Sequence, residues 1–159
     1  MTQESKQPHI QELVSNKKAH FQYEILETLE TGIVLKGTEI KSLRDHGGTL
    51  QEAYVTCDHG ELWLLQCSIA PYRFGSFYNH EEKRKRKLLA HKREIKRFEQ
   101  AMQEKGLTCI PLAIYLKNGL AKAKIALVKG KKLHDKRADI QEREDKRQMD
   151  RAMKQSQSR

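Results

Sequence analysis

Between residues 81 and 97 the chain gathers Lys83, Arg84, Lys85, Arg86, Lys87, Lys92, Arg93, Lys96 and Arg97 against only Glu81, Glu82 and Glu94. Cations at that density bind polyanions, because each phosphate they neutralise releases condensed counterions. The whole chain repeats the bias: 31 Lys+Arg oppose 21 Asp+Glu, giving a formal charge of +10 and a pI near 9.6. Nucleic acid is therefore the leading partner class. Recognition of one RNA among polyanions needs more than charge: duplex shape, ribose hydroxyls, or bases stacked on aromatic rings. Tyr23, Tyr54, Tyr72, Phe74, Phe77 and Tyr78 are the stacking candidates. Core packing competes for each of them, least so for Phe77 and Tyr78 in their polar loop.

Other chemistries find no support. Catalysis requires a nucleophile with its base, a carboxylate pair, a metal cluster or a phosphate-cradling glycine loop, and none is legible. The acids mostly alternate with Lys and Arg, as solvated ion pairs do, and Ser68 and Ser76 stand in no motif. Cys57, Cys67 and Cys109 are widely spaced, which suits buried reduced thiols better than a disulfide framework or zinc. No two histidines stand at the i, i+4 spacing that would aim two imidazoles at one metal. We expect no enzyme and no metal. The sequence has no apolar run approaching the roughly 20 residues that span a bilayer, and MTQESKQPHI lacks the apolar region of a signal peptide. A soluble, cytoplasmic protein with no membrane partner is expected.

These residues must be positioned by one small domain, which is what 159 residues allow. Residues 1–15 are polar and read as a flexible leader. Phe21, Tyr23 and Ile25 then alternate with polar positions, and a turn around Glu30, Thr31 and Gly32 leads to Ile33-Val34-Leu35, a predicted hairpin. Thr38 is placed to cap a short helix over 39–44, stopped by Gly47-Gly48. Asp58-His59-Gly60 joins strands over 53–57 and 61–66. After the basic run, Leu88, Ile95, Phe98 and Met102 share one face of a cationic helix that ends at Gly106. Asn118-Gly119 joins strands over 108–117 and 120–129, the strongest short hairpin signal. Leu112, Ile114 and Leu116 share a face, as do Ala121, Ala123, Ile125 and Leu127, with Lys122 and Lys124 opposite the latter. Beyond Gly130 only Leu133, Ile140, Met149 and Met153 are large and apolar, too little to offset ordering entropy, so the tail is expected to be disordered when free. The pairs Asp139/Arg143 and Glu142/Lys146 would favour a helix once a partner supplied the remainder. Five or six strands with two helices predict a mainly β fold, a small OB-like β-barrel with peripheral helices, a sandwich being the alternative. The divisions are a leader over 1–15, an RNA-binding barrel over 16–130 and a basic tail over 131–159.

The order of certain segments carries more. Asn16-Lys17-Lys18-Ala19, Tyr23, Glu30-Thr31-Gly32-Ile33 and Gly37-Thr38-Glu39-Ile40-Lys41-Ser42-Leu43-Arg44 are followed by Lys87-Leu88-Leu89, His91-Lys92-Arg93-Glu94-Ile95, the Tyr115 to Gly119 turn and Gly130-Lys131-Lys132-Leu133-His134-Asp135-Lys136-Arg137. This succession, over roughly residues 16–147, resembles the SmpB family. The resemblance implies an OB-like barrel without a cofactor. It implies a monomer that holds the tRNA-like domain of transfer-messenger RNA and brings it to stalled ribosomes for trans-translation. Alanyl-tRNA synthetase and elongation factor Tu would be met indirectly, through the RNA. The positions matching family contacts to the tRNA-like domain are Tyr23, Glu30 and His91. Around them Lys17, Lys18, His20, Lys41, Arg44, Lys83, Arg84, Arg86, Lys87, Lys122 and Lys124 are the expected RNA-binding residues. Glu30 would repel phosphate, but it can accept a hydrogen bond from a ribose hydroxyl or base amine. In the tail, Lys131, Lys132, His134, Asp135, Lys136, Arg137, Arg143, Lys146, Arg147 and Met153 are expected to engage the empty messenger channel, with 134–137 at the decoding centre. The competing readings are a general basic OB module of ribosomal or RNA-assembly type and, more remotely, a basic RNase.

Overall fold

The computed structural model describes residues 7–75, 79–130 and 133–157. Phe77, Tyr78, Lys131 and Lys132 lie outside them, as do the side chains of His134, Asp135 and Lys136. The described residues form nine strands and four helices.

The longest strands set the frame. β2 (Tyr23–Ile33) runs antiparallel to β9 (Leu120–Gly130), from Tyr23 opposite Gly130 to Gly32 opposite Lys122, and its end meets β7 (Arg86–Leu89), with Ile33 opposite Leu88. The hairpin expected around residues 30–32 does not form. Alternating exposure continues through that stretch, and Gly32 serves a close approach: a Cβ there would lie 3.2 Å from Leu89 Cβ. The other two hairpins are present. β4 (Tyr54–Asp58) pairs with β5 (Glu61–Leu65) across His59 and Gly60, and β8 (Thr108–Lys117) pairs with β9 across Asn118 and Gly119; all four turn residues have positive φ, as a right-twisted two-residue turn requires.

The pairings β8–β4–β5–β7–β2–β9 return to β8, closing a ring of six strands. A closed ring leaves few strand edges exposed. Inside lie Leu62, Leu64, Leu88, Ile114, Ile125 and Leu127, with Phe98 of α3 (Lys92–Glu104) and Leu43 of α2 (Gly37–Arg44) packed against them. A satellite cluster joins Ala19 of α1 (Ala19–Gln22) to Ile110, Ala126 and Val128, so this end of β9 is covered on both faces. β3 (Gly48–Thr49) and β6 (Ser68–Ile69) form a separate short pair.

Two further expectations are corrected. Residues 10–15 of the supposed leader form β1 (Ile10–Ser15), with Val14 opposite Ile114 of β8 and Leu13 buried. No alternation announces this strand; β8 supplies its order, because β4 meets β8 only at Cys109 and leaves the stretch from Ala113 onward to β1. The cationic helix starts later than expected: α3 begins at Lys92, and Leu88 belongs to β7. In the tail, residues 133–157 form a continuous helix, α4 (Leu133–Gln157). Local pairs such as Gln141 Nε2 to Asp145 Oδ1 at 3.1 Å support it, and the Arg143 guanidinium lies 5.8 Å from the Phe21 ring of α1. No helix among the described residues is long and apolar enough to cross a membrane.

Candidate nucleic-acid interface

Period-two alternation gives β2 and β9 an inner and an outer side chain in turn, and the outer ones build the site. Glu30 stands opposite Lys124, and Lys122 stands opposite both Gly32 and Tyr115. The Tyr115 hydroxyl donates to one Glu30 carboxylate oxygen, and Lys117 Nζ lies 3.2 Å from the other. The hydrogen bond from Tyr115, helped by that from Lys117 and by the charges of Lys117 and Lys122, holds the Glu30 carboxyl below the usual carboxylate range against the effect of burial. Burial, then the Glu30 bond and charge, push the Tyr115 phenol up, so it stays a donor.

Glu30 lies between two depressions. One, of about 660 Å³, is lined by Lys17, His20, Thr28, Glu30, Tyr115 and Lys124 among others; the second, of about 420 Å³, by Glu30, Gly32, Leu89, His91, Glu94 and Lys122. Lys17 also borders a smaller hollow with Lys18, Thr49 and Gln51. The fold thus joins Lys17, Lys18, His20, Glu30, His91, Lys122 and Lys124 in one run of shallow, lysine-bearing surface around a fixed carboxylate. Tyr23 is half-buried against the Ala19, Ile110, Ala126 and Val128 cluster, at the border of α1.

Other expected contacts lie apart from this surface. Arg86 is wholly buried: its Nε donates to Glu39, its Nη1 to the carbonyls of Cys67 (2.7 Å) and Arg84 (3.0 Å), and its Nη2 to that of Glu82 (3.2 Å). Arg84 Nη2 donates to Glu39 at 2.6 Å and to the Val34 carbonyl at 3.3 Å. The buried Arg86 guanidinium is not free for RNA, which corrects the reading of that residue, while Arg84 is tied to Glu39 but keeps part of its side chain exposed. Burial opposes ionisation of Glu39, but the bonds from Arg84 and the Lys36 N–H, with the charge of Arg86, hold it below the usual carboxylate range. Lys87 pairs with Glu61 at 3.0 Å, while Lys83 is exposed. Lys41 and Arg44 project from α2, where Lys41 Nζ lies 5.7 Å from the Tyr72 ring centroid. Arg137, Arg143, Lys146, Arg147 and Met153 are exposed along α4.

Sequence reasoning did not assign Tyr115 or Lys117 to the site. Their contact with Glu30 spans 85 and 87 residues of chain. The one local signal is alternation: Tyr115 stands between the core residues Ile114 and Leu116 and so faces the opposite side of β8.

A closed antiparallel ring with a lysine-bearing outer face around an ionised carboxylate defines a class, that of small basic β proteins with a nucleic-acid-type surface. The model of the family described as SmpB protein matches residues 13–155. An SsrA-binding protein of Protochlamydia amoebophila (strain UWE25) is 67% identical over 146 residues, covering 92% of this chain and 95% of its own. One of Thermosynechococcus vestitus (strain NIES-2133 / IAM M-273 / BP-1) is 50% identical over 147 residues, covering 92% and 97%. A chain of the solved structure described as "tmRNA-SmpB: a journey to the center of the bacterial ribosome" superposes with TM-score 0.64 at 47% identity, covering 75% of this chain and 84% of that one. The chain belongs to the SmpB family.

Proposed function

We propose that the chain binds the tRNA-like domain of transfer-messenger RNA on the surface around Glu30 and carries it to stalled ribosomes for trans-translation. The observation that carries the reading is the ionised Glu30 carboxylate, held by Tyr115 and Lys117 between two depressions bordered by lysines. Lys17, Lys18, Lys122 and Lys124 meet phosphates. Glu30 accepts from a ribose hydroxyl or base amine, a contact that duplex charge alone cannot satisfy. The names and setting of the relatives, SsrA-binding proteins and a tmRNA–SmpB chain of the bacterial ribosome, support the same reading. The protein acts in the cytoplasm as a monomer without a cofactor or catalytic activity of its own. It meets alanyl-tRNA synthetase and elongation factor Tu through the RNA. The helical tail, with its exposed cations, enters a phosphate-lined messenger channel only when that channel is empty, so it reads the absence of messenger by steric competition.

Titration of Glu30→Ala and Glu30→Gln against the isolated tRNA-like domain tests the site. A lost charge-assisted hydrogen bond is worth about 1.5–3 kcal/mol, so Glu30→Ala should weaken binding by about ten- to a hundredfold at physiological salt. Glu30→Gln, which keeps an acceptor, should lose less. Unchanged affinity in both variants would remove Glu30 from the interface.

A further inference from the structure

We infer that the hollow beside the C-terminal end of α2 is a second RNA site, which takes one unstacked nucleotide of a single-stranded segment, with the base on Phe74 and the phosphate on Arg44 and Arg73. The hollow measures about 530 Å³ and is lined by residues that include Arg44, Asp45, His46, Tyr72 and Arg73, with Phe74 next to Arg73 just outside that lining; ligand pockets generally span roughly 300–1,000 Å³. It shares no lining residue with the two depressions around Glu30.

Its walls are locked from both sides. Ser42 Oγ donates to the Ala70 carbonyl at 2.5 Å, and the Ala70 N–H donates to the Gly47 carbonyl at 2.8 Å, tying α2 to the loop that follows β6. A Cβ on Gly47 would collide with Ser42 Oγ. Across the hollow, the Asn79 side-chain amide grips the Tyr72 backbone twice, accepting from its N–H at 3.2 Å and donating to its carbonyl at 2.8 Å. A Cβ on Gly75 would lie 2.7 Å from Asn79 Nδ2, so a side chain at residue 75 would disturb that grip.

Tyr72 is therefore held through its backbone, and Phe74 two residues on is not spent on the core. Phe74 is 72% exposed, stands edge-on to Tyr72 with ring centroids 5.6 Å apart, and has the Arg73 guanidinium 4.9 Å from its own centroid. An exposed phenyl ring costs solvation unless something covers it. A base covers it by stacking, with Arg adding a cation–π contribution, and the surrounding Lys41, Arg44 and Arg73 select a polyanionic ligand over an apolar one. Asp45 offers the carboxylate acceptor that a base amine or ribose hydroxyl requires.

The test uses the full chain and a uridine heptamer carrying one central 2-aminopurine, whose fluorescence is quenched by stacking. The native chain should quench it. Phe74→Leu, which keeps an apolar side chain but removes the ring, should weaken the quenching complex about tenfold while leaving affinity for the isolated tRNA-like domain unchanged. Arg44→Ala should weaken it with a smaller salt dependence. Equal quenching by the native chain and Phe74→Leu, or no quenching by the native chain, would overturn the site. Neither result bears on the Glu30 surface, whose failure would be read from the tRNA-like domain alone.

Discussion

Arg86 and Glu30 mark the limits of reading charge from residue type. Lys83 to Lys87 looks like one uniform phosphate-binding run. In β7, however, successive side chains face opposite sides, and Arg86 is turned into the protein, where Glu39 and three carbonyls await it. Nothing local in the sequence announces Glu39, 47 residues away. Glu30, by contrast, is legible as a site through family resemblance, but its Tyr115 and Lys117 partners come only from the β2–β9–β8 register. Removing one member of a buried ion pair leaves its partner uncompensated at a cost of about 3–5 kcal/mol. Arg86→Ala should therefore lower the urea midpoint sharply, whereas Lys83→Ala on the exposed surface should leave it nearly unchanged. The Glu39 carboxyl titrates below its ordinary value of 4.5 in the folded chain, so near and below that pH the unfolded state binds more protons. This contribution to stability is present above that value and is lost as the pH falls through the lower folded-state value. Glu39→Gln should flatten this acid limb of a stability–pH profile; an unchanged limb would assign the acid sensitivity elsewhere.

At the scale of elements, the hairpins with Asn118-Gly119 and His59-Gly60 turns were readable because positive φ leaves few residue choices. So was the amphipathic face of α3, where Ile95 and Phe98 are buried. β1 was not readable, since its order derives from a neighbour more than ninety residues away in the chain. The helix α4 stands between these cases: a helical propensity is visible in the sequence, but the Gln141 to Asp145 bond and the Arg143 to Phe21 contact with α1 are not. All described side chains of α4 are exposed, so it contributes little apolar burial to the body. A chain cut after Gly130 should keep its thermal midpoint and its affinity for the tRNA-like domain. It should lose helical circular dichroism and the ability to rescue stalled ribosomes. Rescue equal to that of the full chain would remove the tail from the mechanism.

For the whole molecule, composition pointed to polyanion binding and the strand count to a mainly β body, and the pairings close into a ring of six strands. Composition could not distribute the charge. Some cations close internal pairs, others border the groove around Glu30, and others line α4. That division makes selectivity, more than affinity, the property to measure, because a net charge of +10 attracts any RNA at low salt. The most direct test titrates the full chain with the isolated tRNA-like domain of transfer-messenger RNA at low and at physiological salt, with ordinary tRNA and duplex RNA as competitors. The account predicts binding that survives physiological salt and resists both competitors. Equal binding to all three RNAs, lost together as salt rises, would contradict it and leave a general basic RNA-binding module.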